Sequence, residues 1–132
     1  ARSEITLPVS GRAIQLLDSA SLVNSKDTEK IVVTGSHGGL IGGNSRRALK
    51  ARARIGVFND AGVGIEGIGI TRLPALDKIK VAAVTISCHT ACIGDACSTL
   101  ETGVISHTNS TATTLGAKKG LPLKAWLENM ID

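Results

Sequence analysis

The chain has 132 residues, a length that suits a single domain with one hydrophobic core. Hydrophobic residues make up 42% of the chain and charged residues 20%, which are the proportions of an ordinary globular protein. Apolar runs are far shorter than the roughly 20 residues that cross a bilayer, and the N-terminus has no signal-peptide pattern. We therefore expect a cytoplasmic protein that has no membrane partner.

The net charge of +4 raises the question of a nucleic-acid partner. Apart from one dense group in residues 46–54, the basic residues are dispersed along the chain. Aromatic residues make up 2% of the chain, too few for reading bases by stacking. We interpret the basic group as the solvated face of a helix, and we do not expect nucleic acid as a partner.

The first predicted element is a helix. Apolar residues recur at helical spacing across residues 13–23, and a polar stretch follows. Three further helices are expected, over residues 46–53, 70–80 and 121–130. Pro122 suits the start of the last helix, and Trp126 is expected to anchor it in the core.

Three short apolar runs are predicted to be strands buried on both faces, over residues 31–34, 55–58 and 81–86. Residues 104–106 form a shorter candidate strand. Strands and helices alternate along the chain, which is the pattern of a parallel sheet with crossover helices. The sequence therefore predicts a single α/β domain over residues 1–132, with a mainly parallel sheet of three to five strands in two or three layers.

Short polar residues follow each predicted strand. The first strand leads into Ser36-His37-Gly38-Gly39, the second into Asn59-Asp60, the third into Ser87-Cys88-His89, and the candidate fourth into His107. All three histidines of the chain thus come at or just after a strand end. Because ligands of parallel sheets bind beyond the carboxyl ends of the strands, we expect a functional site at this edge.

Four of these residues are candidate catalytic groups. His37 and His89 are candidate acid–base groups, Asp60 is a candidate base or orienting carboxylate, and Cys88 is a candidate nucleophile. The candidate substrate-binding residues are Ser36, Gly38, Gly39, Asn59, Arg72, Asp95 and His107. Among them, the two glycine amides would stabilise developing negative charge, and Arg72 would bind a carboxylate or a phosphate.

Residues 62–67 match the Gly-x-Gly-x-x-Gly pattern of dinucleotide-binding loops. In such sites the following strand ends in an acidic residue that holds the ribose, whereas here it ends in Ser87-Cys88-His89. NAD is therefore not expected as a cofactor. We interpret the glycines as a mobile loop that folds over a small ligand.

The three cysteines have a spacing that matches no zinc or iron–sulfur signature. Their odd number argues against a secreted disulfide framework, and we expect Cys92 and Cys97 to be small core residues. A divalent metal is possible, because the three histidines with Asp60 or Asp95 would make an acceptable ligand set.

Two kinds of function fit these residues. The first is a small-molecule enzyme, a hydrolase or lyase without a nucleotide cofactor, which acts on a small polar or anionic substrate. The alternative is a non-catalytic metabolite-binding module or one subunit of a larger complex. A domain with so few strands has a face to bury against another chain, so we expect a homo-oligomer.

Overall fold

A computed structural model of the chain describes residues 2–39, 49 and 51–130. Its six strands form one sheet in sequence order: β1 (Arg2–Thr6), β2 (Ala13–Leu17), β3 (Ile31–His37), β4 (Ile55–Asn59), β5 (Ala82–Ile86) and β6 (Ile105–Thr108). Strands β2 to β5 are parallel, while β1 and β6 run antiparallel to their neighbours at the two edges. The predicted α/β class and mainly parallel sheet are confirmed, with six strands instead of three to five.

The described residues also contain four α-helices, α1 (Arg72–Asp77), α2 (Ala96–Thr102), α3 (Ser110–Thr114) and α4 (Leu123–Asn129). Helices α2 and α4 share a core with one face of the sheet, and α1 packs on the opposite face. The number of layers stays a prediction, because residues 40–48, between β3 and β4, lie outside the described residues. Within the described ranges, no helix has the length and apolar character needed to cross a bilayer.

The helix predicted over residues 13–23 is wrong. This segment forms β2, which pairs with β1 and β3, and a short 3₁₀ helix, Ala20–Leu22, follows it. Ile14 and Leu16 pack in one core cluster, and Leu17 packs in another. A strand buried on both faces is nearly continuous in apolar residues, and such a run cannot be distinguished from a buried helix by periodicity alone.

The later elements follow the sequence more closely. Strands β3, β4 and β5 cover the three predicted runs, and the candidate strand is β6. The helix predicted over residues 70–80 is shorter, since α1 follows a 3₁₀ helix, Ile65–Ile70. In α4, Trp126 is 3% exposed and its Nε1 donates to the Leu115 carbonyl at 3.1 Å. Four of the eight residues of the helix predicted over 46–53 lie outside the described residues, and the other four, Leu49 and residues 51–53, are not helical.

Gly35, within β3, lies against the backbone of the loop that precedes α2. Its carbonyl accepts a hydrogen bond from the Gly94 N–H at 2.7 Å, and a Cβ added to Gly35 would lie 2.5 Å from the Gly94 carbonyl carbon. Because backbone cannot move as a side chain does, we expect Gly35→Ala to lower the free energy of unfolding by about 3 kcal/mol. Urea denaturation of both proteins measures this loss.

Gly56→Ala is the matched control. Its added Cβ would meet side-chain carbons of Phe58 at 3.2 Å and Leu49 at 3.3 Å, which can shift by a few tenths of an ångström. We expect a smaller loss, about 1 kcal/mol. Equal losses for the two variants would show that the backbone contact at Gly35 is not the cause.

Asp77, at the end of α1, ties this helix to the start of α3. Its carboxylate accepts hydrogen bonds from the Ser110 hydroxyl, the Thr111 hydroxyl and the Thr111 N–H. These bonds, led by the one from Ser110, lower the pKa of Asp77 to about 2. The ionised carboxylate therefore stabilises the fold above the pKa of the unfolded chain, and this contribution is lost as the pH falls toward 2.

We expect Asp77→Asn to be less stable than the unmodified chain by about 1 kcal/mol at pH 6, after allowance for solvent screening of a half-buried carboxylate. This difference in the free energy of unfolding between the two proteins should disappear as the pH is lowered from 4 to 2. Urea denaturation of both proteins across this range measures it. A gap that stays constant with pH would contradict the assignment.

Candidate functional site

The polar residues that follow the parallel strands lie side by side. His37 at the end of β3 pairs with Asn59 at the end of β4, and Asn59 pairs with Ile86 at the end of β5. The Asp60 N–H continues the pairing by donating to the Ile86 carbonyl at 2.9 Å. Parallel pairing therefore brings three of the four predicted polar strand ends to one edge.

Asp60 is the centre of this edge. It is 6% exposed, and its Oδ1 accepts hydrogen bonds from the Gly62 N–H at 2.9 Å and the Cys88 N–H at 3.0 Å. Burial alone would raise the pKa of Asp60, but hydrogen bonds from Gly62, the Ser106 hydroxyl and Cys88 outweigh it and lower that pKa below its usual range. Asp60 is therefore a buried carboxylate that stays ionised at neutral pH.

A β-bulge in β6 connects Asp60 to a histidine. Thr85 pairs with His107 and Ile86 pairs with Ile105, so Ser106 is an extra residue in β6. Two residues of a bulged strand oppose one residue of its partner, and here both Ser106 and His107 contact Thr85. The Thr85 Oγ1 lies 3.0 Å from the Ser106 Oγ and 3.3 Å from the His107 Nδ1.

The Ser106 Oγ and the His107 Nδ1 are themselves 3.2 Å apart. The Ser106 Oγ also donates to the Thr85 carbonyl at 3.3 Å, and the Ser106 side chain helps to lower the pKa of Asp60. The side chains of Thr85, Ser106 and His107 are therefore hydrogen-bonded to one another, with the Asp60 carboxylate beside Ser106. We call Asp60, Ser106, Thr85 and His107 the polar relay. It links three strands, β5, β6 and the end of β4, and it runs from a buried charge to a half-buried imidazole.

The imidazole of His107 lines an open cavity of about 420 Å³. Its other walls come from the 3₁₀ helix Ile65–Ile70, from α1 and from the end of β6. They include Ile70, Leu73 and Thr108. Cavities of this size hold small molecules. The polar relay therefore connects a buried carboxylate to a ligand-sized space.

The loop after Asp60 has an unusual backbone. Four consecutive residues, Ala61, Gly62, Val63 and Gly64, have positive φ, with 69° at Val63. A β-branched residue is strained in this region, and strain of this kind concentrates at functional sites. The Gly62 N–H bonded to Asp60 and the Val63 N–H bonded to the Asp60 carbonyl hold the turn in place.

The glycine-rich segment that was interpreted as a mobile loop forms the 3₁₀ helix Ile65–Ile70. The Gly69 N–H donates to the Val63 carbonyl at 2.6 Å, and Gly38 packs so closely on Gly69 that an added Cβ would strike its carbonyl. The segment is therefore packed against the loop that follows β3. Its glycines allow this close backbone approach and do not form a dinucleotide loop.

The Gly38 and Gly39 amides do not form the expected oxyanion hole. The Gly38 N–H donates to the Asn59 carbonyl at 2.8 Å, and the Gly39 N–H donates to the His37 Nδ1 at 3.0 Å. Both donors already have partners within the fold. This corrects the prediction that these amides stabilise negative charge on a substrate.

Arg72 does not bind a ligand at the surface, contrary to the prediction. It is 2% exposed, its Nε donates to the Gly39 carbonyl at 3.0 Å, and its guanidinium lies 4.8 Å from the centre of the Phe58 ring. Burial lowers the pKa of Arg72. The side chain therefore fixes the loop after β3 and stacks on a core aromatic ring.

The other two histidines lie apart from the polar relay. His37 is exposed and lines a second cavity, of about 340 Å³, with Val63 and Ile68. His89 is exposed in the turn after β5, where its N–H donates to the Ser87 Oγ. Within residues 61–74, the residues that line the His37 cavity differ from those that line the His107 cavity. The two histidines therefore do not share one cavity.

Three of the predicted binding residues have structural partners. The Ser36 Oγ accepts from the Ala20 N–H at 2.6 Å. Asn59 is fully buried, and its amide bonds to Ala61 and Ala91. Asp95 caps α2 by accepting from the Ser98 N–H at 3.0 Å. Burial removes Asn59 from direct contact with a ligand, and Asp95 lies on the α2 side of the sheet, away from His107.

The cysteines also differ from expectation. Cys92 and Cys97 are exposed and are not core residues, since both lie in the surface segment around the start of α2. Cys88 is half-buried, its N–H donates to the Asp60 Oδ1 at 3.0 Å, and its thiol helps to lower the pKa of Asp60. Within the described part of the chain, the structure gathers no group of three or more His, Cys, Asp or Glu side chains that could hold a metal. The possible histidine–aspartate ligand set is therefore not assembled.

Sequence analysis missed Thr85 and Ser106 as members of the site. Thr85 is a polar residue inside an apolar strand, and Ser106 directly precedes a histidine. Those two signals were available in the sequence. Comparison of the chain with protein-family models, curated proteins and solved structures gave no match. Its function must therefore be inferred from its own residues.

Proposed function

We propose that this chain is a small-molecule enzyme, a hydrolase or lyase, in which His107 transfers protons and Asp60 orients and stabilises it. The observation that carries the proposal is the polar relay, which places an ionised, buried carboxylate beside two hydroxyl groups that contact an imidazole at a cavity. Catalytic sites commonly combine a proton-transferring histidine with a carboxylate that fixes its orientation.

The charge of Asp60 gives the polar relay a direction. In the structure the Ser106 hydroxyl donates to the Thr85 carbonyl. Because an ionised carboxylate can only accept hydrogen bonds, the proposed active arrangement has this hydroxyl rotate and donate to Asp60 instead. The Ser106 oxygen then accepts from Thr85, and the Thr85 oxygen accepts from the His107 Nδ1–H. This order leaves the His107 Nε2 with a free lone pair, which is the form of imidazole that acts as a base.

The Nε2 of His107 would take a proton from a water molecule or from a carbon atom next to a carbonyl group. In a hydrolase, the resulting hydroxide adds to the substrate carbonyl, and the same proton then passes to the leaving group. In a lyase, the electron pair left on carbon forms a double bond as the leaving group departs. In both reactions the Asp60 charge favours the transient imidazolium.

The remaining candidate catalytic residues have different positions in this proposal. The Cys88 thiol helps to lower the pKa of Asp60, so it contributes to the environment of the carboxylate and is a second candidate nucleophile. His37 and His89 serve as comparison residues, because both are exposed and neither belongs to the polar relay.

Two reactions test the proposal, the hydrolysis of p-nitrophenyl acetate and deuterium uptake from D₂O at the α-carbon of butanone. We expect the protein to accelerate at least one of them beyond free imidazole at the same concentration. His107→Gln should reduce that rate by about 100-fold, whereas His89→Gln should keep it. No acceleration in either reaction, or an unchanged rate in His107→Gln, would overturn the proposal.

The alternative of a metabolite-binding module is favoured by one observation, since the two glycine amides that might stabilise an oxyanion are bonded within the fold. A binding module would take up a ligand at the His107 cavity without accelerating either reaction. The cytoplasmic location and the homo-oligomeric state stay predictions.

A further inference from the structure

We infer that the His107 cavity accepts a small neutral molecule with an aliphatic group and discriminates against anions. This inference rests on the proposed function for its relevance to catalysis. It extends that function by naming the class of substrate. It also departs from the polar or anionic substrate expected from the sequence.

The wall of the cavity is largely aliphatic. Ile70, Leu73 and Pro74 line one side of it, where the 3₁₀ helix meets α1. Leu73 is 4% exposed and so forms part of the fixed core behind the cavity. A ligand that places a branched alkyl group here gains the free energy of apolar burial without displacing a protein side chain.

Most polar groups at the cavity are already bonded within the protein. The Asn109 side chain donates to the Leu73 and Val81 carbonyls and accepts from the Ala83 and Ala112 N–H groups. The Thr108 hydroxyl bonds to that of Thr113.

For His107, by contrast, the hydrogen bonds found among the described residues involve Nδ1. The Nε2 is therefore a polar atom that a ligand can engage, and the other titratable group among the described lining residues is the Asp77 carboxylate, which can only accept hydrogen bonds. These two groups beside an aliphatic wall suit a ligand with one small polar group and no negative charge.

The charge around the cavity is negative. Asp77 lines it, and hydrogen bonds keep this carboxylate ionised at neutral pH. Asp60 adds a second negative charge at the buried end of the polar relay. The described residues that line the cavity include no lysine or arginine. An anionic ligand would therefore meet two like charges without a compensating cation, which weakens its binding by about tenfold.

Two compounds of matched shape and size test this inference, isobutyramide and isobutyrate. Each is titrated into the whole protein at about pH 8, where an ordinary imidazole is neutral, and the methyl signals of Ile70 and Leu73 are followed by NMR. We expect isobutyramide to shift these signals with at least about tenfold higher affinity than isobutyrate. The methyl signals of Val63, in the His37 cavity, should not move and serve as an internal control.

Asp77→Asn is the matched variant. It removes the charge and keeps the shape, so the affinity for isobutyrate should rise severalfold relative to that for isobutyramide. Equal or tighter binding of isobutyrate to the unmodified protein would overturn the inference. So would the absence of any methyl shift up to about 50 mM isobutyramide, a concentration at which a ligand of this size should bind.

These outcomes are separable from those of the proposed function, because the titration measures binding and needs no turnover. Selective binding of isobutyramide without catalysis would support the preference for neutral ligands and contradict the proposed enzymatic function. Catalysis that depends on His107, together with preferred binding of isobutyrate, would support the proposed enzymatic function and contradict the preference for neutral ligands.

Discussion

Asp60→Ala is expected to lower the free energy of unfolding by about 3 kcal/mol. The carboxylate satisfies the Gly62 N–H and the Cys88 N–H, and it also holds the strained turn that begins at Ala61. Removing it leaves buried or half-buried donors without an acceptor, and each unpaired donor costs free energy. Urea denaturation measures the loss.

Asp60→Asn separates the role of this residue as a hydrogen-bond acceptor in the fold from the role of its charge in the polar relay. The asparagine Oδ1 can still accept from Gly62 and Cys88, so we expect a stability loss of only about 1 kcal/mol. Its amide NH₂ puts a donor where the charged oxygen lay beside Ser106, which reverses the hydrogen-bond order proposed for the polar relay.

Nitrogen-15 NMR should then show the His107 proton moving from Nδ1 to Nε2 in Asp60→Asn. Any activity that depends on His107 should fall by about 100-fold in the same variant. Equal stability losses for the alanine and asparagine variants, or an unchanged His107 tautomer, would contradict this description.

Arg2→Ala is expected to lower the free energy of unfolding by about 3 kcal/mol at neutral pH. Arg2, in β1, pairs with Asp27, whose side chain is fully buried, while the Arg2 side chain is 33% exposed. Burial acts to raise the pKa of Asp27, but the Arg2 guanidinium and the Asn24 N–H outweigh it and lower that pKa. Without Arg2, a buried charge loses its main partner.

The difference in stability between Arg2→Ala and the unmodified chain should depend on pH in a definite direction. In the unmodified chain the lowered pKa of Asp27 means that its stabilising contribution is present above the pKa of the unfolded chain and is lost as the pH falls. In Arg2→Ala, burial dominates and the pKa of Asp27 should rise, so protonation relieves the penalty. The stability gap between the two proteins should therefore narrow between pH 7 and pH 4.

Asp27→Asn provides the control, because a neutral amide can keep the bond to the Asn24 N–H while no buried charge remains. We expect a loss of about 1 kcal/mol, and little further loss when Arg2→Ala is added. Losses that simply add in the double variant would show that the two side chains do not interact.

Much of the fold could be predicted because burial patterns are local. Residues 31–34, 55–58 and 81–86 are continuous apolar runs that end in small polar residues, and each run is a strand. The same logic failed for residues 13–23, since a strand buried on both faces and a helix present the same apolar content. Strand β1, with mostly exposed residues, has no apolar alternation to mark it.

The sequence by itself located the polar edge of the sheet and singled out Asp60 as a candidate catalytic group, whereas His107 was predicted only as a substrate-binding residue. The tertiary structure decided which of the polar residues meet. The antiparallel direction of β6 and the bulge at Ser106 set the contact between His107 and Thr85. The Gly38 amide bonds to the Asn59 carbonyl, and the Gly39 amide bonds to the His37 imidazole. Hydrophobic periodicity records the local burial of each residue, whereas register, bulges and hydrogen-bond partners depend on segments that are distant in the chain.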